Sequence, residues 1–357
     1  MNIGIISDVH NNGLSEQEVI STCIDNIINN GVSGILIAGD IGDYESRRKN
    51  FFEILKLKSE KYHFPNIISM LGNHDVRTGA LPDKNLDPDL VKLYHSYLDN
   101  FNLEYSDDFM SICSVINGYY FICLNTDFGL KDQMKIKDIA IEWLDKTLQK
   151  ASVDDKPIFL LTHQPFNFTH WRSSLFGGFG DQDECLKEIL IKYPQVVCLC
   201  GHIHNGLGTI EFIQRPFGTL IEIPSLTKGE NGVTDMGTGW LVKIQEDKLF
   251  FEAWDFYKNI HLDKYDKTLN LPTIPMLLKQ SLDLGIELNH DLAENIEFLV
   301  SKEYDNDIPD GDNTYRDQIY YGLQKIYGDD TWIEIENVRD EIIELLKGTE
   351  GVVHICK

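Results

Sequence analysis

The chain opens on an apolar run, Ile3-Gly4-Ile5-Ile6, and similar runs recur through its first 257 or so residues, alternating with amphipathic segments. Short continuous apolar stretches closed by glycine or polar residues predict buried strands, whereas apolar positions three and four apart predict helices. Strands are therefore expected over 3–7, 34–38, 66–71, 157–161 and 196–200. A capping-box pattern, Ser15-Glu16-Gln17-Glu18, predicts a helix to about Asn30, with Gly31 as its stop. Further helices are expected over 44–57, 88–100 (capped by Asp87), 138–150 and 181–192. Asn117-Gly118 between two β-rich runs, 109–116 and 119–125, predicts a tight hairpin. After Cys200 the helical period disappears. Apolar runs over 208–213, 219–223, 239–245 and 248–257 predict an added, largely antiparallel sheet. Beyond Ile260 helical patterns return between Pro275 and Lys347, interrupted by a polar stretch holding Pro309 and Gly311. The pattern divides the chain into an α/β unit, 1–259, and a small, mainly helical C-terminal domain, 260–357.

Five polar clusters sit where apolar strands should end: Asp8-Val9-His10, Gly39-Asp40-Ile41-Gly42-Asp43, Gly72-Asn73-His74-Asp75, Thr162-His163 and Gly201-His202-Ile203-His204. An open α/β sheet presents its ligands at the carboxyl ends of its strands, so residues far apart in sequence converge there. The side chains are carboxylates, imidazoles and one amide, the mixture that two divalent metals take. Asp40, with two oxygens, suits a bridge between cations, and Gly39 before it removes a Cβ that would crowd the approach. Asn73 offers a neutral carbonyl oxygen, and His163, His202 and His204 offer imidazole nitrogens. Imidazole mixed with carboxylate fits Mn, Fe or Zn. His74 should point away from its neighbour Asn73 and reach a substrate, with Asp75 as the carboxylate orienting its ring. Any one of these clusters alone is commonplace in turns; the five together, in order, are not.

Composition narrows the partners. A net charge of −25 disfavours duplex nucleic acid and anionic membrane surfaces. Two divalent cations would reverse that field locally and attract a phosphate. Met1 leads directly into the first strand with no export segment, and no run approaches the ~20 apolar residues of a membrane span. Seven cysteines without framework spacing read as reduced thiols, so the expected location is the cytoplasm. Cys198-Leu199-Cys200 reads as buried strand and not as a zinc knuckle.

The same five clusters resemble the calcineurin-like metallophosphoesterases, over about residues 1–257. The resemblance implies a two-sheet αββα sandwich with two metals at the sheet edge. It implies Asp8, His10 and His204 on one metal, Asn73, His163 and His202 on the other, Asp40 bridging, and His74 catalytic. A hydroxide held between the metals would attack phosphorus in line. Asp8-Val9-His10, with Asp43 where a tyrosine ligand would be sought, is unlike the purple acid phosphatase branch. Asn205 and Thr162-His163-Gln164-Pro165 look like the bacterial cyclic-nucleotide phosphodiesterase branch. The leading expectation is a phosphodiesterase for a small soluble ester such as a cyclic nucleotide. The alternatives are a phosphomonoesterase, a nuclease, or a scaffold with a degenerate site.

The loop 166–180 could form a flap, with His170, Trp171 and Arg172 on the substrate, and Asn11 could also contact it. An ordinary surface loop, and a turn-forming Asn11, are the competing readings. The C-terminal helices could cap the cleft, self-associate or bind a protein.

Overall fold

The computed structural model describes residues 1–77, 85–130, 132–167, 169–170, 173 and 177–283. Strands β1 (Asn2–Ile6), β2 (Gly34–Ile37) and β3 (Ile67–Ser69) run parallel, linked by helices α1 (Leu14–Asn29) and α2 (Glu45–Tyr62). The single turn α3 (Asn73–Val76) and helix α4 (Pro88–Asn100) lead to the hairpin β4 (Ile112–Ile116) and β5 (Tyr119–Cys123). Next come α5 (Asp138–Ala151), β6 (Ile158–Thr162), α6 (Asp183–Leu190) and β7 (Val196–Cys200), with β5, β6 and β7 parallel. The remaining elements are β8 (Phe212–Arg215), β9 (Gly218–Glu222), β10 (Thr238–Ile244), β11 (Lys248–Asp255), β12 (Ile260–His261), β13 (Lys267–Asn270) and α7 (Ile274–Asp283).

These strands form two mixed sheets, ordered β12-β11-β10-β1-β2-β3, with β13 also on β11, and β4-β5-β6-β7-β9-β8. The period-two alternation of strand side chains assigns the layers. Phe121, Phe159, Leu161, Val197, Leu199 and Ile221 join the core shared with the first sheet and with α1 and α2. Their neighbours Ile122, Leu160, Val196, Cys198 and Leu220 face a second core with Leu144 and Leu148 of α5 and Leu186 and Leu190 of α6. Helices thus cover both outer faces, the expected αββα sandwich.

The runs after Cys200 behave differently from the expectation of one added sheet. β9 extends the second sheet parallel to β7, and β8 pairs antiparallel on its far side. β10 and β11 instead extend the first sheet antiparallel to β1. Both existing sheets had an open edge, and pairing those edges satisfies more backbone groups than a third sheet would. The first sheet also continues past residue 259, because β12 and β13 both pair with β11. Residues 284–357, which carry most of the expected C-terminal helices, lie outside the described residues, as do Trp171 and Arg172.

Local signals held unevenly. Asp87 caps α4 by accepting from the Asp89 amide. Asn117 and Gly118, with φ of 52° and 80°, make the expected hairpin turn. The Ser15 capping box does not form. α1 starts a residue before Ser15, with Gly13 as its cap, and the Ser15 hydroxyl bonds the Glu16 carboxylate instead. Among the described residues no helix is long and apolar enough to cross a membrane.

Candidate metal centre

The five clusters meet at the carboxyl ends of β1, β2, β3, β6 and β7. The meeting needs close backbone approach. A Cβ on Gly39 would stand 2.7 Å from the Gly72 amide nitrogen and 2.9 Å from His163 Nδ1, and one on Gly72 would overlap the Asp40 carboxylate. Glycine at both positions lets the β2 and β3 ends touch and seats Asp40 between them. Asp8, His10, Asp40, His202 and His204 all hold left-handed backbone, with φ of 51°, 38°, 51°, 70° and 61°. Such conformations cost about 1–3 kcal/mol each in non-glycine residues and persist only where surrounding structure imposes them.

Asp8, His10, Asp40 and His204 each offer a ligand atom, all within 4.8 Å of one another. His10 Nε2 lies 3.1 Å from His204 Nε2 and 3.5 Å from Asp40 Oδ2, while His204 Nε2 lies 3.3 Å from Asp8 Oδ1. A second group meets on the other side of Asp40. His163 Nε2 is 3.2 Å from Asp40 Oδ1 and 3.1 Å from Asn73 Oδ1. His202 Nδ1 is also 3.1 Å from Asn73 Oδ1. The structure therefore brings all seven expected ligands together, and Asp40 touches both groups.

This arrangement fits metal ions. Asp40 Oδ2 is buried without a hydrogen bond. His163 Nδ1 faces the Ala38 carbonyl at 2.7 Å, which places the proton there and turns the Nε2 lone pair of a neutral ring toward Asn73 Oδ1. Lone pairs converging on lone pairs call for a cation between them. Protons are the substitute in the metal-free protein. Burial opposes charge on His163, but the Asp40 carboxylate and its hydrogen bond raise its pKa to about 9. Burial likewise opposes charge on His204, yet hydrogen bonds to Asp8 and Glu230 raise it to about 10. His10 and His202 stay neutral, lowered by burial to about 4 and about 3. Burial would raise Asp8, but the hydrogen bond and charge of His204 hold it at about 2, and Asp40 is held well below the ordinary range against its burial, chiefly by His163.

His74 stands apart from the ligands, as its place next to Asn73 suggests. Its backbone amide donates to Asp40 Oδ1 at 2.8 Å, and its Nε2 lies 3.9 Å from Asp40 Oδ2. The carboxylate at its ring is Asp43, with Oδ1 2.6 Å from Nδ1. Asp75 does not take the orienting role expected of it. It accepts from the backbone amides of Ile41 and Gly42 at 3.0 Å and of Gly72 at 2.8 Å, tying the β2 and β3 ends together. Burial and the nearby Asp40 raise its pKa to about 6.

The expected substrate contacts fare worse. Asn11 is fully buried and donates to the Arg47 carbonyl and the Asn50 side chain, fastening the first loop to α2. His170 is buried beside Thr169 and Cys200, on the side of β7 that Cys198 shares. It is not brought to the centre; burial lowers its pKa to about 3. Asn205 donates to Glu222 and Gln164 to the Asp132 carbonyl, so both turn residues serve structure.

Three neighbours were not anticipated. Arg77 Nη2 is 3.1 Å from Asp43 Oδ1 and 2.6 Å from His74 Nδ1. Its position three residues after His74, one turn along, was the available signal. Glu230 lies 3.4 Å from His204 Nδ1, and Asp132 3.2 Å from Asn73 Nδ2. Neither carries a sequence signal, since both sit in loops distant from any cluster.

Comparison with known proteins agrees with this geometry. A family model described as calcineurin-like phosphoesterase matches residues 1–206. A dimetal phosphatase from Danio rerio superposes with a TM-score of 0.55 at 13% identity, covering 76% of this chain and 98% of that one. A purple acid phosphatase from yellow lupin (Lupinus luteus) seeds superposes with a TM-score of 0.50 at 12% identity, covering 76% of this chain and 53% of that one. At such identities the likeness speaks for the fold. No curated protein matches the chain.

Proposed function

The chain belongs to the calcineurin-like phosphoesterase family, and from that premise we propose that it is a dinuclear-metal phosphodiesterase acting on a small soluble phosphodiester, with cyclic nucleotides the leading class. The observation that carries the proposal is the convergence of seven ligand side chains from five strand ends, with Asp40 in contact with both groups. Asp8, His10 and His204 would hold one metal and Asn73, His163 and His202 the other. Bound there, two divalent cations lower the pKa of water and stabilise the attacking and leaving oxygens.

The protein's own groups supply the rest. Ala38 fixes the His163 tautomer, so that Nε2 is the ligating atom. Asp43 faces His74 Nδ1 and orients the ring, which leaves Nε2, on the Asp40 side, to donate a proton to the leaving oxygen. Asp75 holds the β2 and β3 ends in register, so that Asp40 and Asn73 stay in place.

The charge balance supports a diester over a monoester. Arg77 is the guanidinium beside His74, and Asp43 already neutralises it, so it adds no net charge to match the second negative charge of a monoester. The net charge of −25 supports a small ester over duplex nucleic acid. The test compares bis-p-nitrophenyl phosphate, p-nitrophenyl phosphate and a panel of cyclic nucleotides after loading with Mn, Fe or Zn. Higher kcat/KM on the diester is the expected result. Preference for the monoester would make the protein a phosphomonoesterase, and no turnover in a fully loaded protein would make it a scaffold.

A further inference from the structure

We propose that Asp132 is a positioning residue that locks the orientation of the Asn73 amide and so builds the second metal position. The proposal rests on the dinuclear reading above. Asn73 is buried, its Oδ1 is 3.1 Å from both His163 Nε2 and His202 Nδ1, and its Nδ2 donates to Asp132 Oδ1 at 3.2 Å.

A carboxamide presents an oxygen and an NH2 of nearly the same size, and a half-turn exchanges them. Neutral imidazoles, the form that takes a metal, favour the half-turn that puts the NH2 inward, where it donates to their lone pairs. That orientation would remove the one oxygen ligand Asn73 has to give. Asp132 opposes it from the outer side. An ionised carboxylate only accepts, so a reversed amide would set its oxygen against the Asp132 oxygen. Asp132 is itself fixed, because its carbonyl accepts from Gln164 Nε2 at 3.1 Å, in the residue next to His163. The loop between β5 and α5 thereby orients a ligand on α3, and the oxygen already faces inward before a metal arrives. Outer groups that orient metal ligands typically carry 10–100-fold in affinity.

Calorimetric titration with Mn2+ tests this on the full chain. In the wild type two ions should bind. In Asp132→Ala the weaker of the two should lose about 10–100-fold in affinity, with the other within about twofold. Asp132→Asn keeps an acceptor oxygen and should restore most of the loss, which also serves if the alanine variant folds poorly. The sign should reverse when residue 73 is a carboxylate. Asn73→Asp has no wrong face, and its outer oxygen meets Asp132 as a like charge, so adding Asp132→Ala there should strengthen binding. Unchanged affinities in Asp132→Ala, equal weakening of both ions, or a loss in the Asn73→Asp background would overturn the role given to Asp132. Fewer than two ions in the wild type would overturn the dinuclear reading itself, and this proposal with it.

Discussion

The two halves of the centre are built by different means. Asp8, His10 and His204 hold charge and strain: all three have left-handed backbone, a carboxylate lies among them, and the imidazole of His204 is drawn to about 10. Asn73, His163 and His202 contain no carboxylate, and of the three His202 has left-handed backbone. Their orientation comes from outside the group, through the Ala38 carbonyl on His163 and Asp132 on Asn73. Elsewhere in the described fold, left-handed backbone falls at Asn102, Asn117 and Asn259, the residue type that tolerates it in turns, and at His63, which ends α2. At the centre aspartate and histidine hold it because the chemistry needs them there. The half with a carboxylate binds by preorganised attraction, and the half without one binds by keeping its donors correctly turned.

Asp40 joins the halves, so its loss should erase the difference between them. Asp40→Asn is expected to remove both metals and to lower turnover by at least about 10³-fold. Elemental analysis showing a full pair in that variant would break the comparison outright. His74 belongs to neither half. His74→Ala should lower turnover by about 10²–10⁴-fold while metal content stays at the wild-type level. Parallel loss of metal and activity would place His74 among the ligands.

The charged half also predicts a pH dependence, with His163 joining it. His163 and His204 have pKa values raised to about 9 and about 10 in the metal-free protein. Both are therefore protonated near neutral pH, and each metal must displace a proton. Affinity should rise with pH by about tenfold per unit for each proton displaced, and fall as pH drops. Metal titrations between about pH 6 and 8 check this, and a flat profile would contradict the proton-for-metal exchange. The smallest effect should come from Asp75, which serves the frame. Asp75→Ala leaves three backbone amides without their acceptor. The metal-free protein should lose about 3 kcal/mol in urea unfolding, and unchanged stability would show that water replaces the carboxylate.

The sandwich was legible because buried parallel strands write themselves as uninterrupted apolar runs, and because each ligand cluster follows such a run. The ligands were legible for the same reason, since the end of a strand fixes where a residue lies without knowledge of its contacts. What failed depended on contacts across the fold. Asp75 follows His74, yet the turn of α3 carries it to the amides of Ile41 and Gly42, and Asp43 reaches the ring from another strand end. His170 lies in an aromatic, glycine-rich loop that suggested a flap, but the ring is buried against Cys200. Ser15 had the composition of a cap, and α1 started a residue earlier, at Leu14. The partition of the last strands between two sheets depends on which edges are open, and no local pattern records that.

The central claim is that two metals share Asp40, and anomalous diffraction from manganese-loaded crystals addresses it most directly. Two peaks about 3.5–4 Å apart are expected, one against Asp8, His10 and His204, the other against Asn73, His163 and His202, with Asp40 reaching both. A single peak, or none between these side chains, would contradict the account.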